Sequence, residues 1–315
     1  MLPFVIGLAL ALPITPSPDP LTVAEDLYRS HEYKKAYELW DAAYPRLKPT
    51  LSSALRMSEL KMLYEGREPA VRLLKEFQKG NWTGLGPRGK RDLIERWKEY
   101  RSVFASDQGQ SLYYQAEQKR ALGDCESALG LYQQAEIYDP GNFVVQSAQA
   151  KCYRSLGNIP KLKQTLLQAD ESFPFDGATH VGLGEVWLAK GEFQKVGAAP
   201  WADLDATLRP RYQTTVALAV LSLGRPGEAV ALLTPLLGHD PHPVVDYGLA
   251  KGHLGLGHTT EAKKYFARFL ALAEPYACVI DGWDPYDCQG KAQEARQLME
   301  KMDSKSRASI LPPKA

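Results

Sequence analysis

Charge imbalance is the first thing this sequence lacks: 38 Lys and Arg stand against 37 Asp and Glu, a net +1 over 315 residues. Such a balance offers no field for steering nucleic acid or an acidic membrane surface, so neither is expected as a partner. Cysteine is scarce, four in all, with no CxxC step and no Cys/His cluster at zinc spacing. A structural metal is therefore not expected. No apolar run reaches the ~20 residues that a bilayer-spanning helix needs. No segment alternates with period two over a useful length, so strands are not expected. G-x-S-x-G, H-E-x-x-H and a phosphate-binding Lys motif are all missing, and neither catalysis nor a cofactor is expected.

What apolar run there is lies at the start. Residues 2–12 carry no charge and lead into Pro13, Pro16, Pro18 and Pro20. The length suits the apolar region of a secretory signal, and Ala9-Leu10-Ala11 offers small residues at −3 and −1 of a cleavage site, although no Lys or Arg precedes the run. Residues 1–20 are accordingly read as a leader with a Pro-rich linker, which puts the mature chain in the periplasm or outside the cell. If the segment is not a signal, the chain is cytoplasmic. In an oxidising compartment an even number of cysteines is compatible with disulfides. Cys278 and Cys288 bracket the step CVIDGWDPYDC and form the first candidate pair, Cys125 and Cys152 the second.

Against these absences stands a period. Gly123, Gly157 and Gly191 are 34 residues apart, with Gly224 and Gly257 at steps of 33; Pro140 and Pro174, and again Pro241 and Pro275, keep the step of 34. Five residues after Gly123, Gly224 and Gly257 come Ala128, Ala229 and Ala262, and four further on Tyr132, Leu233 and Phe266. Glycine accepts the left-handed conformation that ends a helix, a small alanine permits two helices to touch, and the residue one turn later fills the space beside it. Proline then stops the second helix, because it cannot continue the hydrogen-bond ladder.

With those residues in place the pattern resembles the tetratricopeptide repeat, a 34-residue helix–turn–helix unit carrying A-x3-F and a closing proline. The unit ending at Pro140 matches best, with Ala116, Gly123, Ala128, Tyr132 and Ala135. The next has Leu162 where alanine is usual. The third keeps Gly184, Trp187 and Gly191 before Gly197 and Pro200 interrupt its second helix. Upstream, Ala36 and Trp40 repeat the alanine–aromatic step, Gly66 marks the turn of another hairpin, and residues 92–104 read as one amphipathic helix. The expected fold is all-α, a superhelical solenoid of about six to seven hairpins. Its parts are degenerate repeats over residues 21–106, better repeats over 107–275, a loop and capping helix over 276–302, and a disordered tail over 303–315.

The resemblance implies a binding scaffold, whose first helices line a concave groove. Carried over residue by residue, the groove positions are Tyr113, Glu117, Arg120, Ser147, Lys151, Arg154, Glu185, Tyr247 and Lys251. Family members that grip a C-terminal carboxylate use a paired Lys/Asn clamp; Tyr113/Glu117 and Ser147/Lys151 stand at comparable places here and depart from it. Other signatures carry less. Residues 84–89 spell GxGxxG, but a helix precedes them where a strand is needed, and Pro87 deletes a phosphate-binding N–H. Arg88, Lys90, Arg91, Arg96, Lys98 and Arg101 crowd one helix, diluted by Asp92, Glu95 and Glu99, as a solvated face is. His239 and His242 flank a turn, and His253 and His258, five apart, fall on poorly matched faces. Glu126-Ser127 and Glu171-Ser172 fit the Glu-Ser step of helical enzymes that cut cell-wall glycan, yet each falls inside a repeat hairpin. The leading reading is a non-catalytic scaffold that holds a protein or peptide in an extracytoplasmic or cell-envelope assembly. A helical-platform enzyme or enzyme subunit acting on cell-wall glycan, and a self-associating scaffold, are the alternatives. If the leader is a signal, the chain expressed in a host with a secretory pathway begins shortly after Ala11; an intact mass corresponding to all 315 residues would count against export.

Overall fold

In a computed structural model the described residues are 19–46, 48–197, 206–238, 242–273, 279–280 and 282–308, with side chains described to residue 304. The leader, Pro200, His239, Pro241, Pro275 and Cys278 lie outside them. Among the described residues the chain is all-α: fifteen helices and no strand, with one isolated bridge between Ile280 and Trp283. It divides into two compact units, Met1–Tyr100 and Arg101–Ala315.

In the first unit α1 (Pro20–Arg29) and α2 (Tyr33–Ala43) form one hairpin, α3 (Leu51–Tyr64) and α4 (Arg67–Asn81) the next. Ala36 and Trp40, the alanine–aromatic pair, are both buried. Gly66 makes the α3–α4 turn at φ +93°, a conformation side chains rarely adopt. The helix expected over residues 92–104 starts earlier, as α5 (Pro87–Ser102). Proline tolerates a first helical turn, since its missing N–H would have no intrahelical partner there. Leu93, Trp97 and Tyr100 form its buried side.

The second unit continues the hairpins with α6 (Asp107–Ala121), α7 (Cys125–Tyr138), α8 (Phe143–Ser155) and α9 (Ile159–Ser172). Then come α10 (Gly177–Ala189), α11 (Arg209–Ser222), α12 (Pro226–Leu233), α13 (Val244–Gly255), α14 (Thr259–Leu272) and α15 (Cys288–Ala308). Each periodic glycine is left-handed, with φ of +81°, +64°, +72°, +76° and +80° at Gly123, Gly157, Gly191, Gly224 and Gly257. Each makes the same pair of bonds: its own N–H meets the carbonyl three back, and the next N–H meets the carbonyl five back. For Gly123 these are Gly123 N–H to Arg120 O at 2.9 Å and Asp124 N–H to Lys119 O at 3.0 Å. This is the Schellman closure, which satisfies carbonyls the helix would leave bare. Asp124 and Asn158, one residue on, cap the helices that follow by accepting from Ser127 N–H and Lys161 N–H.

Ala128, Ala229 and Ala262 are fully buried, and so are Tyr132, Leu233 and Phe266 one turn later. In the second half of the third unit the described residues form a 3-10 turn, Phe193–Lys195, before Gly197 at φ +91°. α10 packs on α11. At the C-terminal end the capping helix begins at Cys288, where Asp287 accepts the Gly290 N–H at 3.2 Å with its side chain. It also runs through Asp303 to Ala308, and Lys263 Nζ holds the Asp303 carboxylate at 2.6 Å, so the expected disordered tail does not begin at Asp303. Its apolar side, with Ala292, Ala295 and Met302, covers Val244, Phe266 and Phe269 of α13 and α14. An open repeat end needs such a cover.

Because Ala128 is fully enclosed with Leu112, Ala116 and Tyr132, Ala128→Leu overpacks the α6–α7 contact. The expected cost is ~1–3 kcal/mol, read as a lower urea midpoint at unchanged slope; an unshifted midpoint would show that the contact has slack.

Candidate functional site

The nine residues assigned to the first-helix face fall into three groups. The first sits on α6. Glu117 and Arg120 are one turn apart and form a bidentate pair, Arg120 Nε and Nη2 donating at 3.1 and 2.7 Å. Tyr132, the aromatic of the α7 step, donates its hydroxyl to the same carboxylate. The Arg120 hydrogen bond holds the Glu117 carboxyl below its ordinary range despite partial burial, and Lys151 on α8 pulls in the same direction. Tyr113 is half-buried, its ring 5.3 Å from Phe104 and 5.9 Å from Tyr132, while its neighbour Tyr114 is exposed. Ser147 is half-buried and Lys151 exposed, and Lys151 forms no salt bridge among the described residues.

The second group is buried, which the sequence did not suggest. Glu185 on α10 is 0% exposed and lies between two arginines, Arg154 of α8 and Arg211 of α11. Arg154 Nη1 and Arg211 Nη2 donate to one carboxylate oxygen at 2.7 and 2.8 Å, and Arg211 Nε to the other at 2.5 Å. The approach depends on Gly182: a Cβ there would stand 3.1 Å from an Arg154 guanidinium nitrogen. Two cations on one carboxylate leave a surplus positive charge, and Trp283 lies with its ring centre 5.4 Å from the Arg154 guanidinium. The face of an indole attracts such a charge. Arg154 and Glu185 are thus internal groups, not open groove positions.

Tyr247 and Lys251 of α13 form the third group, with Glu294 of α15 as their partner. Tyr247 donates to Glu294 at 2.5 Å and Lys251 at 2.7 Å. Burial pushes the Glu294 carboxyl up, but these two bonds outweigh it and leave it below the ordinary value. Burial, followed by the Glu294 bond, raises the Tyr247 hydroxyl. Beside them a cleft of about 830 Å³ opens between α10, α11, α13 and α15, with Leu218, Leu254 and Lys291 also on its walls. Lys291 stands 5.4 Å from the Tyr247 ring centre, and burial lowers its pKa.

Cys288 is disulfide-bonded, while its expected partner Cys278 lies outside the described residues. Cys125 and Cys152, the second candidate pair, are free, buried thiols. Burial, then its hydrogen bond with the neighbouring Cys125, pushes the Cys152 thiol up, away from the reactive thiolate. His253 and His258 are closer than their spacing suggested, with their Nδ1 atoms 3.3 Å apart. No third ligand joins them, and no group of three or more His, Cys, Asp or Glu suited to a metal occurs among the described residues. The GxGxxG segment begins on the last residue of a 3-10 turn, Trp82–Gly84, and ends in the first turn of α5, with α4 and no strand before it. On the basic helix, Arg96 pairs with Glu59 and Glu99, and Arg101 is buried. No described helix is long and apolar enough to cross a membrane.

Arg211, Trp283 and Glu294 were not found from the sequence. Arg211 follows the broken third unit, where the 34-residue register no longer aligns residues. Trp283 was visible within CVIDGWDPYDC, but nothing in that segment says that it returns to α8, more than a hundred residues away. Glu294 lies on the capping helix, outside the repeat.

No family model matches the chain, and no curated protein matches it in sequence. Solved structures do overlap with it. PilW, described as a widely conserved type IV pilus biogenesis factor, is 17% identical over 64% of this chain and 94% of its own, with a TM-score of 0.43. A thermophilic TPR protein of Thermus thermophilus, TTC0263, is 19% identical over 60% of this chain and 99% of its own, at 0.38. A tetratricopeptide repeat protein from Parabacteroides merdae is 12% identical over 88% and 97%, at 0.35. The repeat assignment stands on the hairpins themselves.

The two charged groups predict different mutational costs. Glu185→Ala leaves Arg154 and Arg211 facing each other in a buried site and is expected to cost about 3 kcal/mol or more. Arg120→Ala breaks a pair whose side chains are 34% and 27% exposed, and about 1 kcal/mol or less is expected. Urea unfolding of both variants checks the contrast; equal costs would mean that Glu185 is not the anchor.

Proposed function

We propose that this tetratricopeptide-like chain is a non-catalytic scaffold that holds a segment of another protein against the first-helix face of α6 and α8. The observation that carries the reading is the combination on those two helices of exposed Tyr114, half-buried Tyr113, partly exposed Arg120 and an exposed Lys151 without a salt bridge. Tyrosine and arginine supply much of the energy at protein interfaces, since each buries a large area and keeps a polar end. Glu117 is already committed to Arg120 and Tyr132, so the free charge on this strip is positive and favours an acidic segment. The cleft beside Tyr247 and Lys251 extends the candidate surface at the other end of the unit.

An extracytoplasmic setting is part of the proposal. It rests on the apolar leader with its Ala9-Leu10-Ala11 site and on the disulfide at Cys288, a bond that persists where the surroundings oxidise. Against the glycan-cleaving alternative, Glu126 and Ser127 lie in the first turn of α7, where Ser127 N–H bonds the Asp124 cap, and Glu171 and Ser172 end α9. Both dipeptides sit in ordinary hairpin positions.

A partner captured from an envelope extract and identified by mass spectrometry is expected to bind the Arg120→Ala/Lys151→Ala double variant more weakly by ~2 kcal/mol, a hot-spot magnitude. Calorimetry against the purified partner measures it. Unchanged affinity moves the site off α6 and α8, and release of soluble fragments from purified peptidoglycan by the chain alone would overturn the non-catalytic reading.

A further inference from the structure

Residues 282–286, just before α15, lie across the first-helix face of α8, α10 and α11. Ile280 and Trp283 exchange backbone hydrogen bonds at 2.7 and 3.1 Å, closing a tight turn. Gly282 within it is left-handed, φ +82°, and a Cβ there would meet the Ser155 backbone, Cα and carbonyl oxygen both at 3.1 Å. Only glycine allows the turn to lie so close to the end of α8. Trp283 packs on the core of Ala150, Leu162, Leu166, Leu183 and Val186, beneath the Arg154 guanidinium. Further along, the Tyr286 hydroxyl lies 3.1 Å from Thr215 Oγ1 on α11, and its ring is 4.9 Å from that of His242. Two anchoring aromatics, a backbone fitted against a backbone and a cation on an indole face are what a bound peptide shows in a groove. Here the bound segment belongs to the chain itself.

We propose that the face around Arg154 and Ser155 is a recognition site for a tight turn bearing a tryptophan, filled in the resting chain by its own Gly282-Trp283. A partner with the same kind of turn enters only when this one leaves. The surface keeps its chemistry without the loop, because Glu185 and Arg211 hold the Arg154 guanidinium from the other side. The segment is joined to α14 and α15, so a displaced loop stays close and competes at high effective concentration. The proposal rests on the scaffold reading but concerns a different stretch of the first-helix face from the strip of Tyr113, Arg120 and Lys151.

The probe is the fluorescently labelled peptide of residues 278–288, closed by a disulfide between its two cysteines, and binding to the full chain is followed by anisotropy. Two variants empty the site by different means: Trp283→Ala deletes the anchor, and Gly282→Val forces a side chain into the Ser155 backbone. Each is expected to bind the peptide at least about tenfold more tightly than the wild type, whose site is occupied. Equal affinity in all three chains, or no binding to either variant up to about 1 mM, overturns the proposal. Hydrogen exchange of the wild type needs no variant: the amides of residues 153–157 are expected to be protected more strongly than those of residues 119–123, the same turn in the preceding unit, and equal protection overturns it too. A partner that needs Arg120 and Lys151 yet is indifferent to Trp283→Ala would leave the scaffold reading standing and sink this one.

Discussion

One small interaction recurs five times in the second unit and sets everything built on it. A glycine in the left-handed region turns the chain out of a first helix, and the N–H after it closes on the carbonyl five residues back, at 2.8–3.1 Å in every repeat. Any side chain in that conformation would crowd its own backbone at roughly 1–2 kcal/mol. The turn therefore fixes where the first helix stops, and with it which residues of the second helix meet it. Ala128, Ala229 and Ala262 then reach the helix contact with no exposure at all. Packing follows from the closure, because a shift of one residue would rotate each helix by about 100° and carry the alanine away from its neighbour.

Where the pattern fails, the structure uses the space. The third unit keeps its glycine closure, with Glu192 N–H to Trp187 O at 2.8 Å, but only a 3-10 turn follows before Gly197. With α10 and α11 in direct contact, Arg211 comes within reach of Glu185, as Arg154 of α8 does from the other side. A carboxylate removed from water costs several kcal/mol by itself. Here three charge-assisted hydrogen bonds at 2.5–2.8 Å compensate it, and the surplus cation is spread against an indole. The interruption at Gly197 and the buried charge cluster make one event of the chain's course, since α10 and α11 flank the first and carry the second.

That event also marks the limit of what the sequence discloses. Spacing of glycine, alanine and proline made the all-α hairpin fold legible, since each of those residues acts through local backbone geometry or one close contact. Of the residues that the same spacing singled out, Tyr113, Glu117, Arg120 and Lys151 lie near one another on α6 and α8. What spacing cannot carry is a contact between distant segments. Arg154 and Glu185 read as groove residues until Arg211 and Trp283 arrive from beyond the break, and Tyr247 and Lys251 until Glu294 does. Cys125 and Cys152 read as a disulfide candidate, yet they sit as free thiols in the α6–α8 core, among Leu129, Tyr132 and Val145.

Taken together, the polar face of the second unit is graded by how far the chain satisfies its own charges. Around Glu185 the satisfaction is complete and buried, so removing one partner threatens the fold before any binding. Around Glu294 it is shared between Tyr247 and Lys251 at the rim of a water-accessible cleft, where Lys291 faces the Tyr247 ring. On α6 and α8 it is incomplete, for Glu117 answers Arg120 while Lys151 stays in solvent. A binding partner gains most where the free chain has left a charge unanswered and least where it must first break a desolvated pair. A solenoid with uniform repeats would offer equivalent faces along its length. This chain, by breaking one repeat and folding its own tryptophan loop over the result, leaves the α6–α8 strip as the stretch where an outside charge has most to add.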